Sequence, residues 1–311
     1  MSLKPIGWST ALIALGAALL WGGNVVALKL GLGTFPPLWS GFWRMFIGAL
    51  TVGAWAWARG RALAPSREDW GPLVTLSVLF TIQTAMLNVG VDFTSPAYGI
   101  VLLNANPVFA NLLAHFFVPE DRLSPQRVTG LAVAFAGVCL VFLGQADTSL
   151  APHPFWGNVL VTLSALLLGA RIVYTQRLVQ KMDPIRPVFW QMVLCLPLFL
   201  AAGAIWEQPT TQAVSWEAVA AMLYQGIIVA GLCFVVWTTL LRDHSPGSLS
   251  MFGFTSPIFG IVLSSLFFDE ALQARLWLGL AAVTVGILLV TKSKQVPLVN
   301  PSAAAPRGAL R

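Results

Sequence analysis

Charge is what this sequence has least of. Of its 311 residues, 10% are Asp, Glu, Lys or Arg, against about 25% in an ordinary soluble domain. A surface so poor in charge cannot face water all round, so lipid must be the solvent for most of the chain. The net charge of +6 then says little about nucleic acid, and none is expected as a partner. Cysteine is scarce too. Cys139, Cys195 and Cys233 each lie inside an apolar run without CxxC spacing, which reads as small buried hydrophobes rather than disulfides or metal ligands. The three histidines are far apart, and no Walker loop, HExxH or GxSxG occurs. An enzyme within the membrane needs convergent acids or metal ligands at depth. The expectation is therefore a non-enzyme with no cofactor and no metal. No loop is long enough to fold as an aqueous domain.

What is present is a series of apolar runs. A bilayer span needs about 20 mostly apolar residues. Candidates lie at roughly 9–30, 38–58, 71–91, 96–118, 126–144, 155–178, 187–206, 217–241, 247–268 and 274–291. The fold class expected is all-α integral membrane with ten transmembrane helices. With the loops numbered alternately, the side holding both termini carries 14 of the 18 Lys and Arg; the other side has Lys29 and Arg275, and Arg44 and Arg171 fall within spans. That asymmetry predicts cytoplasmic termini in a bacterial-type inner membrane. Trp8, Trp55, Trp57, Trp70, Trp156, Trp206, Trp216 and Trp277 fall near span ends, as an interfacial belt would. The first run is too long for a signal-peptide core and has no A-x-A site after it. Residues 293–311 read as a disordered cytoplasmic tail.

The chain contains itself twice. SPAYGIVLLNANPVFANLLAHFFVPE (Ser95 to Glu120) and SPGSLSMFGFTSPIFGIVLSSLFFDE (Ser245 to Glu270) agree at seven of 26 positions without a gap, including Pro107 with Pro257 and Glu120 with Glu270. At an offset of 147, Pro37, Phe42 and Trp43 fall on Pro184, Phe189 and Trp190. At 149, Gly130 and Gly137 fall on Gly279 and Gly286, a spacing suited to close helix packing. Residues 1–147 and 148–292 thus read as two five-helix repeats. Five being odd, the second enters the membrane from the opposite side, an inverted repeat of the kind that places a substrate site at mid-membrane between the halves.

With WGGN (Trp21 to Asn24) in span one, FWRM with Arg44 in span two, and a mid-span proline followed 13 residues on by a glutamate in spans four and nine, the chain resembles the drug/metabolite transporter superfamily. Within it the chain is similar to the EamA-type branch, and among that branch to YddG-type aromatic-amino-acid exporters. The resemblance implies a central cavity lined mainly by spans one, three, four, six, eight and nine, with five and ten peripheral. LGAR (Leu168 to Arg171) replaces WGGN in the second copy, so those positions need not share a role.

Polar groups in lipid are costly and mark candidate sites. Arg171, with Tyr174 one turn on, is read either as a cavity cation for a substrate carboxylate or as a structural link. Arg44 and His115 are read as structural or gating. In span four, Asn104, Asn111 and His115 share a face, with Asn106 nearer the break at Pro107. Proline frees the carbonyl four residues back, that of Leu103, which must meet a side chain, water or ligand. Pro107 and Pro257 occur in both copies and are assigned to a gating hinge; Asn104, Asn111 and His115 face Phe254, Ile261 and Ser265 in the twin and occur in one copy only. Asn88 shares a span-three face with Thr81 and Thr84, with Gln83 beside it. Trp21, Asn24, Tyr98, Trp237, Phe254 and Ser256 complete the cavity candidates. All 12 carboxylates lie in loops or at span ends, from Glu68 to Glu270, so no obligatory carboxylate proton relay is expected. His115, toward one end, is only loosely suited. The expected function is outward transport of small amphipathic metabolites, aromatic amino acids first among them, by facilitated or exchange alternating access. The expected partners are a small-molecule substrate and the lipid bilayer; a monomer is plausible. Transport of another solute, such as a nucleotide-sugar or lipophilic cation, or a non-transporting receptor or scaffold, are the alternatives.

Overall fold

A computed structural model of the chain describes residues 7–117, 125–142, 149–208, 213–244, 252, 255–270 and 273–292; the side chains of 111, 114–117, 142, 243 and 290–292 lie outside that description. The described residues form helices and turns, without a strand. In chain order the helices are α1 Trp8–Gly22, α2 Asn24–Leu32, α3 Pro37–Ala58, α4 Trp70–Phe93, α5 Pro96–Leu103, α6 Asn106–Phe117, α7 Pro125–Phe142, α8 Pro154–Val179, α9 Ile185–Trp206, α10 Trp216–Leu223, α11 Phe234–Asp243, α12 Thr255–Phe268 and α13 Ala274–Lys292. Among the described residues, five stretches are long and apolar enough to cross a bilayer: Trp8–Leu32, Arg67–Phe93, Pro154–Val179, Ile185–Trp206 and Trp216–Arg242. Shorter apolar helices accompany them.

Several runs read as continuous spans are interrupted. Between α1 and α2 the chain turns at Gly23, where a Cβ would stand 2.9 Å from the Tyr224 hydroxyl. That hydroxyl donates to the Leu20 carbonyl. Between α5 and α6 the turn precedes Pro107, which has no N–H to continue the ladder. Between α10 and α11, Tyr224–Cys233 is wound as a π-helix, a geometry that recurs at functional sites. By contrast α9 carries Pro197 in its interior and stays continuous.

Small residues set the closest approaches. α7 packs along α13. A Cβ on Gly137 would lie 2.7 Å from the Gly279 carbonyl, and one on Gly286 would lie 2.5 Å from that of Gly130. The glycine spacing noted in the sequence therefore joins these two helices backbone to backbone. Gly22, from WGGN, meets α12 in the same way: a Cβ there would be 2.7 Å from the Ser256 carbonyl. The eight tryptophans assigned to the interfacial belt are all exposed, in keeping with rings at the headgroup level. The cysteines are a correction. Cys195 and Cys233 are buried, but Cys139 is exposed on a face of α7 that also presents Val128, Phe135 and Leu140. In lipid an outward thiol among such neighbours costs little.

Candidate functional site

Some of the polar side chains singled out in the sequence are spent on joining helices, Gln83 and Asn88 among them. Gln83 on α4 donates from Nε2 to Ser164 Oγ on α8 at 2.8 Å, and that hydroxyl donates to the Gln83 carbonyl at 2.9 Å. Asn88 donates to the Pro37 carbonyl at 2.9 Å. Thr81 bonds the Ser77 carbonyl within its own helix, and Thr84 is buried. Tyr174 reaches only as far as the Pro72 carbonyl, at 3.4 Å. Ser256 is partly exposed at the start of α12. Tyr98 is buried with its hydroxyl unpartnered.

The break in the opening half of span four is resolved locally. Asn106 Nδ2 donates to the Leu103 carbonyl at 2.9 Å, the acceptor that Pro107 strands. Asn104 Nδ2 donates to the Ile100 carbonyl at 2.8 Å. These two amides therefore cap the turn between α5 and α6, and the carbonyl freed by proline needs no ligand. Pro257 is buried in the first turn of α12, where a missing N–H costs nothing to the helix that follows. Asn111 and His115 belong to α6, but their side chains, like Phe254, lie outside the described residues.

The two arginines behave differently. Arg171 on α8 and Arg44 on α3 are 8% and 3% exposed. Arginine at a span centre costs about 2.5–3.5 kcal/mol on insertion scales, so each needs a reason to be there. Gly169 presses α8 onto α6, a Cβ there lying 2.7 Å from the Ala110 nitrogen, and this close contact sets Arg171 two residues along. Its guanidinium carbon stands 4.7 Å from the Phe80 ring centre and 5.5 Å from that of Phe234, a cation–π arrangement. Nη1 approaches Gln191 Oε1 on α9 at 3.5 Å, too long for a strong bond. Arg44 Nε and Nη1 are buried without a hydrogen-bond partner among the described residues. Its helix is drawn against the π-helix through Gly48 and Gly226, where a Cβ on Gly226 would meet Ile47 at 2.5 Å. Rings continue away from the guanidinium: Phe234 lies 5.5 Å from Trp21, and Trp21 lies 5.6 Å from Trp237. Asn24, one turn beyond Trp21, is buried with its Oδ1 unpartnered.

Sequence reasoning missed Phe80, Phe234 and Gln191. A signal for Gln191 was present: at the offset of 147 it falls on Arg44, while Asn24 falls on Arg171. The two phenylalanines carry no such mark, since nothing local distinguishes them from other ring-bearing core positions. A separate groove of about 610 Å³, lined by Leu38, Ile82, Met86, Phe199 and Trp206 with Glu207 at its edge, does not include the arginines. Glu207 there accepts from the Leu38 and Trp39 backbone nitrogens at 2.8 and 3.1 Å. Among the described residues no group of His, Cys, Asp and Glu could hold a metal ion.

Comparison with known proteins places this arrangement. The model of the EamA-like transporter family matches residues 8–143 and again 155–292. The chain is 24% identical over 278 residues to the uncharacterized transporter YoaV of Bacillus subtilis, covering 89% of this chain and 94% of that protein. It is 26% identical to the uncharacterized transporter YvbV of the same organism, covering 92% of each. It is 21% identical to the uncharacterized inner membrane transporter YedA of Escherichia coli K12, again covering 92% of each. A solved crystal structure superposes with a TM-score of 0.68 at 20% identity, covering 91% of this chain and 98% of that one, which shows the shared fold. Matched twice, along nearly its whole length, this chain belongs to the EamA-like transporter family.

Proposed function

We propose that the protein is a secondary transporter that moves small amphipathic metabolites bearing a carboxylate, aromatic amino acids among them, outward across the inner membrane. The mechanism is alternating access of two inverted five-helix halves, 1–147 and 148–292, with both termini cytoplasmic. Transport is facilitated or by exchange. Membership of a transporter family supports the class of activity. The aromatic choice rests on the resemblance to YddG-type exporters read from the sequence. The single observation that carries the reading is the buried Arg171 over Phe80 and Phe234, at one end of a row of aromatic rings, with Arg44 a second buried arginine. A scaffold has no need of two costly cations in its core, whereas a carrier uses such groups to exchange for the hydration that a substrate loses.

Counterflow in liposomes containing the purified protein tests the proposal. Accumulation of a labelled aromatic amino acid or aromatic acid against unlabelled substrate is expected, and its loss in Arg171→Gln. No counterflow across a panel of amino acids, organic acids, sugars and cations would favour a non-transporting receptor or scaffold.

A further inference from the structure

We infer that the groove beside Glu207 holds one acyl chain of a membrane phospholipid whose headgroup carries a primary ammonium, of the phosphatidylethanolamine kind, with that ammonium on the Glu207 carboxylate. The site is separate from the substrate site proposed above and does not depend on it.

The first support is place and depth. The groove, of about 610 Å³, takes Leu38 from the start of α3, Leu160 from the first two turns of α8, and Phe93 and Trp206 from the ends of α4 and α9. It therefore lies in one half of the helix bundle, the outer half in the orientation given above. Along α4 its wall runs from Thr81, at the middle of the helix, to Phe93, the last residue. At about 1.5 Å per residue that wall is about 18 Å long, against about 15 Å for one leaflet of a hydrocarbon core about 30 Å thick. Phe199 and Leu38 are buried and form its floor, while Ile82 and Trp206 are exposed, so the groove opens onto lipid. Thr81 turns its hydroxyl to the Ser77 carbonyl of its own helix, which leaves the inner end apolar. An acyl chain of the surrounding leaflet fits a wall of this character and length.

The second support is charge at the mouth. Among the described residues that line the groove, Glu207 alone is charged. It follows the exposed Trp206, and tryptophan favours headgroup depth. Each carboxylate oxygen accepts one backbone N–H, from Leu38 at 2.8 Å and from Trp39 at 3.1 Å, where an ionised carboxylate has about four acceptor sites. The ion pairs Arg61–Asp183 and Arg186–Asp69 lie at the opposite end of the same helices. Burial pushes the Glu207 carboxyl above its ordinary value, against the pull of its two N–H bonds, the direction expected of a charge without a counterion. A lipid ammonium supplies the charge and open N–H donors together. A phosphatidylglycerol headgroup brings a like charge instead. A second copy of this chain has little to offer here. Its cations at this end are Lys29 and Arg275; Lys29 donates to the Val91, Asp92 and Thr94 carbonyls, and Arg275 is already engaged.

Native mass spectrometry of the purified full-length protein tests this, with dioleoyl-phosphatidylethanolamine or dioleoyl-phosphatidylglycerol titrated into the detergent solution. The first ethanolamine lipid should be retained about fivefold more than the first glycerol lipid. Glu207→Gln should make the two equal. Val89→Trp, which puts a ring into the groove one turn from Phe93, should lower ethanolamine-lipid retention to the glycerol level with Glu207 intact. Equal retention of both lipids by the wild type overturns the inference, as does a preference that survives Glu207→Gln or Val89→Trp. A protein dimer that Val89→Trp abolishes overturns it in favour of a second copy. Should Glu207→Gln fail to fold, since it loosens the start of α3, the wild-type preference and Val89→Trp decide the matter alone.

Discussion

Ser95 and Glu270, 175 positions apart, are hydrogen-bonded to each other, the hydroxyl donating to Oε1. The other carboxylate oxygen accepts from the Ala97 nitrogen at 3.2 Å and from Ser264 Oγ at 2.8 Å. Glu270 therefore caps the start of α5 from beyond the end of α12, where a negative charge suits the helix dipole. Close by, Lys29 on α2 gathers the last carbonyls of α4. The short turn from α4 to α5 is held from both sides, by residues that the chain supplies far apart.

Replacement of that carboxylate should be costly. Glu270→Ala leaves the Ser95 and Ser264 hydroxyls and the Ala97 N–H without their acceptor, each buried unsatisfied group costing about 1–3 kcal/mol. Glu270→Gln keeps one acceptor and should fall between Ala and wild type. Thermal unfolding in a Cys139→Ser background, followed with a thiol-reactive dye, reads this directly, because Cys195 and Cys233 are buried and free while Cys139 is exposed. A melting temperature unchanged in Glu270→Ala would show that the cap is idle.

Asn106 and Pro107 should be energetically coupled. Asn106→Ala strands the Leu103 carbonyl at a cost of about 1–3 kcal/mol. Pro107→Ala supplies an N–H that can reach the same carbonyl, so in that background the loss of Asn106 should matter less. A double-mutant cycle on unfolding should give a coupling of about 0.5–3 kcal/mol. As a hinge, Pro107→Ala should also slow counterflow while leaving the fold largely intact; normal turnover would remove the hinge role.

Gly137→Ala should destabilise the α7–α13 contact. Its new Cβ would lie 2.7 Å from the Gly279 carbonyl and 2.8 Å from the Val283 nitrogen, backbone atoms that cannot swing aside. Overpacking of this kind costs about 1–3 kcal/mol. Gly16→Ala in α1 meets nothing within 4 Å and should instead stabilise by about 0.5–1 kcal/mol through helix propensity. Melting temperatures that move together, rather than in opposite directions, would contradict this packing.

Counterflow should proceed at unchanged rate when the pH gradient is collapsed with an ionophore. Carboxylates lie in loops or near span ends, and the described Glu270 and Glu207 are engaged in caps. Exchange abolished by the ionophore would reveal a proton relay, with His115 the first residue to replace.

The sequence by itself determined the solvent and the helical class, but not where the helices break. A chain with 10% charge and 57% hydrophobic residues must satisfy its backbone internally in lipid, and helices do so with local bonds alone. The repeated glycines also announced where two helices touch, since only a missing Cβ permits that approach. The tertiary structure decided which polar groups are occupied. Asn106 and Arg171 looked alike in the sequence as costly groups at depth. Folding gave Asn106 the Leu103 carbonyl three residues away, and gave Gln83 and Asn88 partners on other helices. It left Arg171 over Phe80 with its Nε unpartnered among the described residues. That distinction depends on contacts between helices distant in the chain, and no local pattern of residues encodes whether a buried donor finds an acceptor there.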